Sequence, residues 1–300
     1  MKLLIVGAES AVGQELIRQA QERGVEYIAP EPGRIDPRDP LDLAKVITQA
    51  EPDQVISLAS YRAGSQLAVH YAEQDPEGCE LINHQQAALI AEVCDHLHIP
   101  LVHLSSAYVF SGEKKLAYNE QDALRPLGVY GASSLRGEAA IADALERHVI
   151  VRTGWIFGIG QDELVRQWIQ EARDNEGAVT VLRRKFSPTP TEDVARILLA
   201  IACQVDCQVD VWGTYHYCGL ETKRESEFVQ QVLKLAAQHD EGVYQLLDHL
   251  SLNLLRADAP ETTNTTLATK KIFDTFGIKQ RSWHGALQNL VKHLHQEHVA

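Results

Sequence analysis

Two serine hydroxyls and a phenol are the groups in this chain whose placement could do chemistry together. Ser105 and Ser106 lie in the run His103-Leu104-Ser105-Ser106-Ala107-Tyr108-Val109-Phe110. Tyr130 opens the run Tyr130-Gly131-Ala132-Ser133-Ser134-Leu135-Arg136-Gly137-Glu138. The first run reads as a buried strand that carries its hydroxyls at the end, the second as a helix entered through Tyr130. A hydroxyl at a strand end and a phenol at a helix start can point into one cleft. Such a pair can hold a carbonyl oxygen and pass it a proton.

These runs resemble the active-site segment of the extended short-chain dehydrogenase/reductases, and among them the dTDP-4-dehydrorhamnose reductase family. That family's strand reads roughly His-x-Ser-Thr-Asp-Tyr-Val-Phe and its helix Tyr-Gly-x-Ser-Lys-x-x-Gly-Glu. The resemblance implies that Ser106 is the catalytic Ser/Thr and Tyr130 the catalytic Tyr. The family's catalytic Lys, four residues after the Tyr, is Ser134 here. In the family that ammonium hydrogen-bonds the nicotinamide ribose and lowers the pKa of the Tyr, which is near 10 when unperturbed. A serine can replace the hydrogen bond but not the charge. Arg136 sits about 200° further round a helix of 3.6 residues per turn and faces elsewhere. Lys114 and Lys115, in the preceding loop, are the other cations near in sequence. Ser134 is thus either an ordinary helix serine in a site that no longer needs the chemistry, or part of a rewired active site.

The elements that must position this pair begin at the N-terminus. Lys2 to Val6 reads as a buried strand, Gly7-Ala8-Glu9-Ser10-Ala11-Val12-Gly13 as a turn, and Gln14 to Arg23 as a helix. Strand, glycine turn and helix form the setting of a dinucleotide fingerprint, with backbone N–H groups facing the pyrophosphate. The family pattern is Gly-x-x-Gly-x-x-Gly, and its middle glycine is Ser10 here, where a side chain crowds the approach to the phosphates. The alternative is a tight turn without a ligand. Val25 to Ala29 reads as a second strand. Glu31 beyond it suits a ribose 2′-hydroxyl, Arg34 a 2′-phosphate, so NAD and NADP both stay open. Asp36 resembles the family's adenine-side Asp, and its alternative is a turn residue between two prolines.

Further on, Leu41 to Ala50 reads as a helix, and Pro52 to Tyr61 resembles the family's Pro-Asp-x-Val-Ile-Asn-x-Ala-Ala-Tyr, a buried strand whose end skirts the cofactor. That places Ala59 and Ser60 by the dinucleotide. Asn83, in a mostly helical stretch from Gln66 to Ala91, falls on a family Asn that supports the catalytic region. Val149 to Gly158 resembles the family's Arg-Thr-x-Trp-Val-Tyr-Gly strand and loop, and Phe186 to Ala195 its Gly-x-Pro-Thr-x-x-x-Asp-Leu-Ala signature, with Asp193 near a helix N-cap. The resemblance directs Tyr108, Val109, Trp155 and Arg256 toward a substrate. The family's Arg-Pro-x-Asn-Ser-x-Leu stretch survives here only as Asn264 and Leu267, and the Arg before Pro is Ala259. Arginine clamps diphosphates through its planar fork of donors. Its loss, with Asp258 and Glu261 on either side, argues against the family's own dTDP-sugar as the main ligand.

Composition bounds the rest. Three hundred residues, 45% apolar and 23% charged, describe a soluble globular chain. Twenty-eight basic against 41 acidic residues leave a net charge of −13, which argues against nucleic acid and anionic membrane as partners. No apolar run is long enough for a signal peptide or a span, and five cysteines without regular spacing point to a cytoplasmic protein. Cys203, Cys207, Cys218 and His216 lack a zinc-site spacing, so no metal is expected.

Alternating strand and helix patterns imply an α/β fold, a doubly wound Rossmann-type parallel sheet with a smaller C-terminal substrate lobe. The expected division is a dinucleotide-binding domain over residues 1–155, with returning segments from about 185 to 220, and a lobe over most of 156–300. Two functions fit. One is an NAD(P)H-dependent reductase or epimerase of a keto-sugar nucleotide, acting through Tyr130 and Ser106. The other is a binding protein of the same fold with impaired turnover, holding NADP or NAD, a nucleotide or a nucleotide sugar, and acting with a protein partner or as a homodimer. Ser10, Ser134 and Ala259 each remove a function-specific group, which favours the second.

Overall fold

The computed structural model describes every residue except Pro32, Pro37, Gly64, Gln208, Val209, Asp258 and Ala300, and only the backbone of His298 and Val299. In chain order its main elements are β1 (Lys2–Val6), α1 (Ala11–Glu22), β2 (Glu26–Ile28), α2 (Pro40–Ala50), β3 (Gln54–Ser57) and α3 (Ala68–Gln74). Then come α4 (Ala87–Leu97), β4 (Leu101–Ser106), α5 (Val129–Ala144), β5 (His148–Thr153), α6 (Glu163–Asp174) and β6 (Ala178–Leu182). The chain continues through α7 (Thr191–Asp206), β7 (Gly213–Tyr217), α8 (Glu225–Ala236), β8 (Ser251–Leu255), α9 (Lys270–Phe276) and α10 (His284–Val299).

Six strands form one parallel sheet in the order β7-β5-β4-β3-β1-β2. Both faces are covered, which explains why these strands are near-continuous apolar runs rather than alternating ones. Leu3, Ile5, Val102 and Val151 pack toward α1 and α7; Leu4, Val55, Leu101 and Ile150 pack toward α2, α4 and α5. The fold expected from the sequence is therefore present. Ligands of such open sheets bind beyond the carboxyl ends of the strands, and that edge is where β1 and β3 run out into Gly7 and Leu58 and β4 ends in Ser106.

A second core fills the C-terminal lobe, where Phe157, Trp168, Phe186, Phe228 and Trp283 surround α6, α8 and α10. The two-stranded parallel pair β6–β8 lies beside it. The chain returns to the main sheet through α7 and β7. It returns once more through α9, whose Ile272 and Phe276, with Ile278, bury against the main core. That last return was not anticipated, because a seven-residue helix carries too little periodicity to say which core it joins. Among the described residues no helix is long and apolar enough to cross a membrane.

Candidate active site

Strand β4 ends on its two hydroxyls, as the run suggested. It stops at Ser106, whose hydroxyl accepts the Tyr108 amide at 3.2 Å and caps a single 3-10 turn over Ala107–Val109. That turn points Tyr108 toward the cleft and sends Val109 into the core with Phe110 and Tyr118. Val109 is fully buried and does not line the cleft. Helix α5 enters at Val129 and brings Tyr130 and Ser134 to the same cleft as Ser106. Gly131 makes that approach possible: a Cβ there would lie 2.1 Å from the Tyr108 carbonyl oxygen.

The hydroxyls are wired in a way the sequence did not disclose. Tyr130 Oη is 2.8 Å from Ser60 Oγ. Burial raises the Tyr130 pKa above its ordinary value, and the Ser60 hydroxyl offsets part of that. Ser134 turns back along its own helix and donates to the Tyr130 carbonyl at 2.8 Å. Ser133 does the same at 3.0 Å. Asn83 steadies the pair: its amide nitrogen reaches Ser133 Oγ at 3.0 Å and its carbonyl accepts the Tyr61 amide at 2.6 Å. It does so from a π-helical turn, Leu81–Gln86, inside a stretch read only as helical. The Ser134 hydroxyl is thus taken up by its own helix, and it brings no charge to Tyr130. Lys114 and Lys115 do not supply one: Lys114 pairs with Asp122 at 2.5 Å, and neither lines the cleft. His103, on the cleft floor, contacts Ser57 Oγ at 3.2 Å and is held neutral by burial, its pKa lowered to about 4.

At the N-terminal turn, Gly7 has φ +82°, and a Cβ there would come 3.0 Å from the Leu58 backbone. Gly13 lets α1 pack onto the turn, since a Cβ would meet Ala8 O at 2.6 Å. Ser10 is the α1 N-cap: it accepts the Gly13 amide at 3.1 Å and donates to the Gly7 carbonyl at 2.8 Å. The amides of Ala11 and Val12, in the first turn, have no intrahelical carbonyl partner. Ser10, Val12, Ala59 and Ser60 line the cleft that holds Tyr130. A groove bounded by Gly7, Glu9, Glu31 and Gly33 adjoins it, sharing Leu58, Ala59, Ser60, Arg62 and Ala63. These residues fit the adenosine and pyrophosphate end of a dinucleotide: left-handed glycine, close backbone approach and open amides are all in place. At the nicotinamide end the family's lysine position is held by Ser134.

The other expected residues are divided between the cleft and the surface. Arg34 is exposed and faces Asp42 at 3.6 Å. Asp36 is exposed and accepts the Arg38 amide at 2.9 Å, the turn role weighed for it. Neither lines the groove. Trp155 lines the cleft among the lobe aromatics, 5.0 Å from Phe186 between ring centres, and its indole N–H has no partner. Arg256 is exposed just after β8 and does not line that cleft. Asp193 lies near the α7 N-cap as read, as the third residue of the helix, where it accepts from Tyr217 and Arg196.

The acidic segment near the cleft is not free to repel an anion. Glu261 is buried and bonded by Arg184 at 2.5 Å, Tyr108 Oη at 2.8 Å and His70 at 3.3 Å. Burial alone would raise its pKa, but the Arg184 charge and these bonds hold it at about 2. Arg184 also pairs with the buried Glu225. Asp258 lies outside the described residues. Arg152 is buried in a two-pronged pair with Glu138, which also accepts from Ser105 at 2.5 Å. No sequence pattern announced either pair, because the partners are brought together only by the fold.

Fold and site define a Rossmann-type protein of the extended short-chain dehydrogenase/reductase class. The chain belongs to the family described as the RmlD substrate binding domain, whose model matches residues 1–296. It is 29% identical over 295 residues to a dTDP-4-dehydrorhamnose reductase of Sinorhizobium fredii, covering 97% of each chain. Its fold is shared with a dTDP-4-dehydrorhamnose reductase of Clostridium acetobutylicum, at a TM-score of 0.83 and 24% identity over 98% of this chain and 99% of that one. It is also shared with a Bacillus anthracis reductase of the same name solved in complex with NADP, at a TM-score of 0.78 and 21% identity over 97% and 98%.

Proposed function

We propose that this chain binds NAD(H) or NADP(H) and a nucleotide or nucleotide sugar in the cleft between sheet and lobe, with carbonyl reduction that is weak or absent. One observation carries the reading. The residue at the lysine position, Ser134, is bonded to its own helix, while the Tyr130 phenol is bonded to Ser60 and raised in pKa by burial. A phenol in that setting holds its proton and does not readily exchange it.

Gly7 and the open amides of Ala11 and Val12 would hold the pyrophosphate. Ala59 and Ser60 would flank the ribose and nicotinamide end. When bound, the nicotinamide can supply or accept a hydride. Ser106 and Tyr130 would orient a carbonyl oxygen beside it. Glu9 and Glu31 line the adenosine groove while Arg34 faces Asp42, which supports an unphosphorylated ribose and hence NAD(H) over NADP(H). An active reductase or epimerase is the second reading, favoured by the presence of Ser106 and Tyr130 on one cleft.

Calorimetry and thermal melting with all four dinucleotides test the binding. A ligand that binds only the folded state raises the melting temperature. No response to any of them at millimolar concentration refutes the reading. Rapid wild-type oxidation of NADPH or NADH with a dTDP-4-keto sugar would replace it with the second.

A further inference from the structure

The turn that leaves β3 carries a cation to the wall between the two grooves. Arg62 sits in a turn closed by the Ala63 amide, which donates to the Ser60 carbonyl at 3.0 Å. The Ser65 amide donates to the Arg62 carbonyl at 2.9 Å. Arg62 has φ +48°, a left-handed conformation that a residue with a Cβ adopts at a cost and that recurs at ligand clamps. Its guanidinium carbon lies 4.2 Å from the centre of the Tyr71 ring, and its Nε donates to Tyr61 Oη at 3.4 Å. Its side chain is exposed, and it lines both the cleft of Tyr130 and the groove of Gly7, Glu9 and Glu31.

The geometry points to Arg62 as the cation that holds the diphosphate of a ligand laid across that junction. The assignment rests on the function proposed above. A dinucleotide places adenosine at one end and nicotinamide riboside at the other, with its diphosphate between. The wall common to the two grooves is Leu58, Ala59, Ser60, Arg62 and Ala63, and among these residues only Arg62 is basic. Other arginines and lysines near the site are already committed: Arg34 to Asp42, Lys114 to Asp122, Arg152 to Glu138, Arg184 to Glu225 and Glu261. The glycine turn has ceded its Gly13 amide to Ser10, so the backbone offers one donor fewer. A chain of net charge −13 also repels an anion at long range, which leaves a local cation to decide binding. A guanidinium offers phosphate oxygens a planar fork of donors, and stacking on Tyr71 holds that fork in place.

Calorimetry with ADP-ribose, NAD, and adenosine separates a phosphate contact from a general effect on the loop. For Arg62→Gln, affinity for ADP-ribose and NAD should fall by about tenfold or more, the size of a lost charge-assisted hydrogen bond. Adenosine affinity should not change, and the salt dependence of ADP-ribose binding should weaken. Arg62→Lys should recover part of the loss. The melting temperature of each free variant should match wild type. Loss of adenosine and ADP-ribose affinity to the same degree overturns the clamp, because it reports a damaged loop. Wild-type binding of NAD that Arg62→Gln leaves within twofold also overturns it, while the proposed function stands. A wild type that binds no dinucleotide overturns the proposed function and the clamp with it.

Discussion

Replacing Ser134 with Lys should make Tyr130 far easier to ionise. The hydroxyl it removes is bonded to the Tyr130 carbonyl at 2.8 Å, so position 134 lies one helical turn from the phenol's backbone. An ammonium about 5 Å from the phenolate, at an effective dielectric of about 20, favours ionisation by roughly 3 kcal/mol, or about a hundredfold in the ionisation equilibrium. Losing the serine's hydrogen bond costs about 1 kcal/mol of stability, small beside that effect. Ser60→Ala should act with the opposite sign, since the Ser60 hydroxyl is what lowers the Tyr130 pKa against its burial. Ultraviolet titration of each variant, differenced against the same variant carrying Tyr130→Phe, isolates this phenol from the other eight tyrosines of the nine. Oxidation of NADH or NADPH with a 4-keto sugar nucleotide follows the chemistry in parallel. A Ser134→Lys titration that superimposes on wild type would refute the reasoning, because the site would then already hold an equivalent cation. A shift without any gain in turnover would place the impairment elsewhere in the cleft.

Two further outcomes follow from the site's wiring. Arg184→Met leaves Glu225 and Glu261 buried without their cation and should destabilise the chain by about 3–5 kcal/mol in urea unfolding at neutral pH. Glu261 has its folded pKa depressed to about 2 from an ordinary 4.5, so its contribution is present above about 4.5 and is lost as pH falls toward 2. The gap between wild type and Arg184→Met should narrow over that window, and a gap independent of pH would contradict the assignment. Ser10→Gly releases the Gly13 amide toward a diphosphate while costing only a few tenths of a kcal/mol as a cap change. ADP-ribose should bind the variant severalfold more tightly in calorimetry, and weaker binding would show that the Ser10 hydroxyl itself contacts the ligand.

The order of strands and helices was legible because parallel strands buried on both faces need unbroken apolar runs, as in Leu3-Leu4-Ile5-Val6 and Val149-Ile150-Val151. The glycine turn was legible for the same kind of reason: Gly7 and Gly13 stand where backbones meet, and the bounds of contact leave no room for a side chain. The placement of Ser106 and Tyr130 on one cleft also came from local pattern, a strand end facing a helix start, while the family resemblance pointed to Ser134. What the hydroxyls do there did not. Ser60 and Tyr130 are 70 residues apart, and nothing in either neighbourhood foretells a 2.8 Å contact. Ser134 could have faced the cofactor or its own helix, and the hydrogen-bonding potential of a serine serves both equally. Glu261 read as a free carboxylate until the fold set Arg184, 77 residues away, against it. Val109 sat in the same short run as Tyr108, and one 3-10 turn sent the two side chains to opposite environments. Periodicity along a chain records which face of an element is buried. The partner a polar group finds is decided by pairwise distances between elements, and those exist only once the chain has folded.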